Sequence, residues 1–146
     1  VINYVTLEIA YKEHEKIINK TGGLHGIRND RLESVLEHIQ NDLYYPYFED
    51  KLCHLVFSVA ENHSFQDGNK RSSIVLGSLF LKINSYPDEV INDFIQKMEA
   101  LVLMIVEKEI YKEDLNGYIY FIINQEEMPE ELLEPLEIRL ERERGY

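Results

Sequence analysis

The segment His63-Ser64-Phe65-Gln66-Asp67-Gly68-Asn69-Lys70-Arg71 gathers an imidazole, a carboxylate, a glycine, an amide and two cations within nine residues. A neutral imidazole takes up a proton near pH 7, so His63 is a candidate general base. A helix is expected to begin near Asn69, and the first N–H groups of a helix have no partner inside it. That end carries about half a unit of positive charge. Lys70 and Arg71 stand there against the usual electrostatic preference, a placement that makes sense if an anion binds. Gly68 lets backbone approach such an anion closely, and the Asn69 amide can donate to it. Gly68 to Arg71 therefore has the make-up of a phosphate site. Asp67 has two readings: holding Mg2+ together with phosphate oxygens, or capping the helix. Phe65 is expected to turn inward and anchor the loop. The plain alternative for His63 is a ring that satisfies backbone groups at a helix end; so many reactive types in one short run favour a site.

The elements that must hold this loop are helical by periodicity. Val5, Ile9, Ile17 and Ile18 predict a first amphipathic helix, ended by Thr21-Gly22-Gly23. Asp30 can cap a second, with Leu32, Val35, Leu36 and Ile39 on one face. Leu43-Tyr44-Tyr45-Pro46-Tyr47-Phe48 is aromatic and carries a proline, which predicts an extended loop or short hairpin. A third helix with Leu52, Leu55, Val56, Val59 and Ala60 leads into the loop. The fourth leaves it through Ile74 to Leu81, apolar nearly all round as a central buried helix should be. Pro87-Asp88 opens a fifth, and a sixth covers about Leu115 to Asn124. From Glu126 the chain turns acidic, and Pro135 interrupts the pattern, so a short, partly exposed tail helix is expected. The fold class is all-α, with one domain over residues 1–125 and an acidic tail over 126–146.

A net charge of -12 disfavours general binding to nucleic acid or an anionic membrane. No apolar run approaches the roughly 18 residues of a membrane span, and no secretory leader pattern is present. The single Cys53 lies in an apolar run and is expected to be a buried thiol. With His14, His25, His38 and His54 it makes no zinc spacing. A cytoplasmic location fits this composition. The glutamates after Glu126 are expected to form a solvated face, with docking of a basic partner as the second reading.

The loop resembles the Fic/Doc pattern H-x-F-x-[DN]-[AG]-N-[GK]-R. Gly22-Gly23-Leu24-His25-Gly26-Ile27 is similar to the glycine-rich segment after the first helix of Doc-like members, and Phe80-Leu81-Lys82-Ile83-Asn84 to the end of the motif helix. The resemblance implies a helical bundle with a central motif helix and a β-hairpin-like flap. It implies that His63 deprotonates a hydroxyl of a target protein, that Asp67 coordinates Mg2+, and that Gly68 and Asn69 form an anion hole. Lys70 and Arg71 would bind the phosphates of ATP. The flap, about residues 42–48 and including Leu43, Tyr44, Tyr45 and Tyr47, would pair with the target backbone by strand addition.

Members that transfer AMP usually carry glycine after the asparagine and a second arginine three residues beyond the first. Here those places hold Lys70 and Ile74. Lysine is the Doc-like variant, in which ATP is thought to bind reversed and the γ-phosphate is transferred. The resemblance thus implies a death-on-curing toxin that phosphorylates a Ser or Thr hydroxyl, with translation elongation factor Tu as a suggested target. AMP transfer is the alternative, since Asp67-Gly68 is shared with ordinary Fic members. A non-catalytic domain with a degenerate loop is a third reading, and the intact loop counts against it. No inhibitory [ST]-x-x-x-E-[GN] helix is found, which implies a separate antitoxin. The oligomeric state is left open.

Overall fold

A computed structural model describes residues 1–143. Its described residues form seven helices: α1 (Leu7–Thr21), α2 (Arg31–His38), α3 (Phe48–Asn62), α4 (Asn69–Ile83), α5 (Asp88–Val106), α6 (Lys112–Ile123) and α7 (Glu130–Glu143). The expected all-α class holds.

Helix α1 starts where the Thr6 hydroxyl accepts from the Ile9 N–H at 3.2 Å and stops at Gly22, whose φ of 80° ends the ladder. Its buried face is Ala10, His14 and Ile18, spaced four residues apart as one helix stripe requires. Ile9, expected to be part of that face, is exposed, and Val5 is buried ahead of the helix. A histidine in the stripe hides this register from a count of apolar residues. At α2 the expected cap by Asp30 is replaced: Asp30 makes no capping bond, and Asn29 Oδ1 accepts from the Arg31 N–H at 3.0 Å.

The segment after α2 is a turn, not a hairpin. The Tyr45 N–H donates to the Asn41 carbonyl at 2.9 Å, and the Leu43 N–H to Asn41 Oδ1 at 2.9 Å. Those local bonds use donors that a strand would need for a ladder.

Helix α4 is the hub between α3 and α5. A Cβ built on Gly77 would stand 2.9 Å from both Phe94 Cζ and Val56 Cγ2, so the three backbones approach as closely as a missing side chain allows. Phe80, Leu52, Leu55, Leu101 and Ile119 are fully buried around it. Cys53 is buried too, and burial pushes its thiol up to about 12.

Helix α7 corrects the expectation that Pro135 interrupts the tail. The helix runs through that proline, giving up one ladder bond. Three anchors offset the loss. Leu136 is buried in the common core, the Tyr118 hydroxyl donates to the Leu132 carbonyl at 2.6 Å, and Arg139 is buried among Glu107, Glu109 and Glu143. Among the described residues no helix is long and apolar enough to cross a membrane.

Candidate functional site

The loop between α3 and α4 is held by a segment far upstream in the chain. The Gln66 N–H donates to the Gly26 carbonyl at 3.0 Å, and the Arg28 N–H to the Ser64 carbonyl at 2.8 Å. Ile27 and Phe65 thereby form an antiparallel bridge. The Asn29 amide donates to the carbonyls of Asn62 at 3.3 Å and His63 at 3.2 Å. Phe65 is buried; its ring stacks on His14 with centroids 3.8 Å apart and planes 5° from parallel.

Within the loop, the Asn69 side chain closes a clasp on one residue. Its Oδ1 accepts from the Phe65 N–H at 3.1 Å and its Nδ2 donates to the Phe65 carbonyl at 3.0 Å. One of the two amide N–H groups of Asn69 is thereby engaged, and the residue still lines the cleft. Backbone donors follow it. Gly68 adopts φ 75° as the N-cap of α4, and the first ladder bond runs from the Ser72 N–H to the Gly68 carbonyl at 2.9 Å. The N–H groups of Asn69, Lys70 and Arg71 precede that bond and have no partner within the helix.

Asp67 sits ahead of this helix start. Its Oδ1 accepts from the Gly68 N–H at 2.9 Å and its Oδ2 from the Leu24 N–H at 3.3 Å. A Cβ on Gly23 would meet Asp67 Oδ2 at 2.7 Å, so the glycine segment clears the space the carboxylate occupies. A carboxylate has about four lone-pair positions, and two are engaged here. Among the described residues no group of three His, Cys, Asp or Glu could hold a metal ion alone. The donor set nevertheless fits Mg2+, which commonly takes one or two carboxylates and completes its shell with phosphate oxygens and water.

His63 caps α3 in the left-handed region, φ 50° and ψ 46°. Its carbonyl, tied to Asn29, holds that turn. The side chain is exposed and makes no hydrogen bond among the described residues. His63, Asp67, Gly68, Asn69, Lys70 and Arg71 line one cleft of about 420 Å³, walled by Ala60 of α3 and Val106 of α5. Lys70 and Arg71 are exposed, with no carboxylate within salt-bridge distance among the described residues. Larger cavities of about 540 and 650 Å³ border α7. Neither lining contains a histidine, and a cavity of about 470 Å³ lined by His38, Asn41, Tyr44 and Tyr45 has no lysine or arginine; the smaller cleft brings a histidine together with two cations and the start of a helix.

The flap residues stand apart from that cleft. Leu43, Tyr44 and Tyr47 are exposed, and Tyr45 stacks on His54 at 4.7 Å. Tyr47 and His63 cap opposite ends of α3, whose 15 residues span about 22 Å at 1.5 Å per residue. The buried Lys51 ammonium secures the turn, donating to the Ile39 carbonyl and to Asp42 Oδ1, both at 2.7 Å. Sequence reasoning missed His14, Gly23 as a contact of Asp67, and Asn29. The glycine cluster was the available signal for the second; nothing local marked the other two.

Residues 4–81 match the family model described as the Fic/DOC family. That span takes in α1 through most of α4 and covers more than half of the chain, so the chain belongs to the Fic/DOC family. Membership places it among transferases that act on protein targets. No curated protein matches the chain.

Proposed function

We propose that the chain transfers the γ-phosphate of ATP to a Ser or Thr hydroxyl of a target protein, as a Doc-like kinase of toxin type. The observation that carries this reading is one cleft lined by an exposed imidazole, by the start of α4 with its first three N–H groups unpartnered within the helix, and by two cations without a salt-bridge partner among the described residues. His63 would remove the hydroxyl proton as the oxygen approaches phosphorus. The new O–P bond forms as the bond from the γ-phosphorus to its bridging oxygen breaks, and ADP leaves. The N–H groups of Asn69, Lys70 and Arg71 would hold the phosphate oxygens, aided by both cations. Mg2+ bound through Asp67 would supply charge neutralisation at the phosphates.

The preference for phosphate over AMP rests on Lys70 and Ile74. Ile74 lies one turn beyond Arg71, half-buried and packed on the core, so that wall of α4 offers no second guanidinium. Incubation of the protein and cell extract with γ-labelled or α-labelled ATP separates the two chemistries. Label entering protein from the γ position alone is expected. Label from the α position alone removes the kinase reading and leaves AMP transfer, which the Asp67-Gly68 pair supports.

Target docking at the flap needs a bridge. A target segment paired near Tyr47 must cover about 22 Å to reach His63, which takes about seven extended residues. The exposed Leu43, Tyr44 and Tyr47 suit such a contact. Translation elongation factor Tu is the suggested target, and a separate antitoxin the suggested regulator.

A further inference from the structure

We infer that His14 is a positioning residue for the anion end of the cleft. The inference rests on the reading of that end as a phosphate site. Two contacts and a close approach carry it, all from one side chain 53 residues from Asp67 in sequence. His14 is buried at 2% exposure, its ring lies flat on Phe65 at 3.8 Å, and its Nε2 is 2.7 Å from the Asp67 carbonyl oxygen. A Cβ on Gly68 would stand 3.7 Å from the same nitrogen. His14 therefore touches the loop at its aromatic anchor and its carboxylate residue, and lies beside the space that a side chain on its glycine would enter.

The chemistry selects histidine. A carbonyl only accepts, so Nε2 must carry a proton to bond it. The peptide joining Asp67 to Gly68 is trans, and its C=O and N–H point in opposite directions. Drawing the carbonyl toward α1 turns the Gly68 N–H the other way, where the Asp67 carboxylate receives it. The plane of that peptide sets the start of α4, and so the direction of the N–H groups that follow. Phenylalanine would supply the stack without the donor. Glutamine would supply an N–H the same number of bonds from the backbone without the ring.

Two variants of the full chain test this. In 15N–1H spectra the amide signals of Gly68, Asn69, Lys70 and Arg71 should move in His14→Phe and return toward wild type in His14→Gln. In parallel, kcat/KM for transfer from ATP should fall about 100-fold in His14→Phe, the scale of a small misplacement at a reacting centre, and less than about tenfold in His14→Gln. Loop signals unmoved in His14→Phe, or displaced equally in both variants, overturn the inference. If His14→Phe fails to fold, the imidazole spectrum of the wild type decides: a protonated Nε2 supports the role, and a protonated Nδ1 with bare Nε2 ends it. Wild type that transfers nothing, while the loop signals respond as expected, defeats the kinase and AMP-transfer readings and leaves the positioning role standing.

Discussion

His63 has one task in the proposed reaction and little else to do in the fold. Its ring is exposed and unbonded among the described residues. Replacing it with alanine should therefore cost about 10²–10⁴ in transfer rate, as loss of a general base does, with the thermal midpoint unchanged. Comparing initial rates and melting curves of His63→Ala with wild type checks both halves. Gly23 is the opposite case, a residue with no chemistry whose absence of a side chain is the point. Its φ is 118°, and a Cβ would press on Asp67 Oδ2 at 2.7 Å. Gly23→Ala should displace the carboxylate, and the Mg2+ concentration needed for half-maximal transfer should rise. An unchanged Mg2+ titration would count against Asp67 as the metal-binding group.

At the scale of elements, α4 is placed by close approach. Gly77 leaves no room for a methyl group against Phe94 and Val56. Gly77→Ala should destabilise the fold by about 1–3 kcal/mol through overpacking, despite the better helix propensity of alanine, and urea unfolding measures it. The contact between α3 and α6 brings a pH dependence. The Lys112 ammonium donates to His54 Nδ1 at 2.8 Å. Burial, then the charges of Lys112 and His38, lower the His54 pKa from 6.5 to about 4. The unfolded chain thus binds a proton that the folded chain refuses. Stability falls as pH drops from about 6.5 toward 4. His54→Gln should flatten the part of that slope due to this ring, seen as the difference between the two unfolding free energies across the window.

For the whole molecule, the acidic C-terminal segment is part of the structure through Leu136 and Arg139. The guanidinium of Arg139 answers three carboxylates, those of Glu107, Glu109 and Glu143. Each carboxylate reaches solvent, so Arg139→Ala should cost less than the roughly 3–5 kcal/mol of a fully buried pair. The three glutamates left behind repel one another, and added salt should recover part of the lost thermal midpoint. A deficit that salt leaves untouched would mean that the aliphatic stem, rather than the charge, holds α7 in place.

The motif loop, the helix starts at Asn69 and Asp88, and the buried faces of α2 and α3 were legible in the chain, because each is written in neighbouring residues. Periodicity, glycine at a helix end and a dense run of reactive types are local signals. What only the tertiary structure decided lies between distant segments. The Asn69 amide turns back on Phe65 and clasps the loop from within. The presumptive hairpin closes on Asn41 as a turn at the far end of α3. Pro135 is carried within a helix because Leu136, Arg139 and the Tyr118 hydroxyl anchor that helix to the rest of the fold. His14 reaches the loop from α1. Hydrogen-bond partners and helix separations depend on how the helices pack, and no single stretch of sequence encodes that packing.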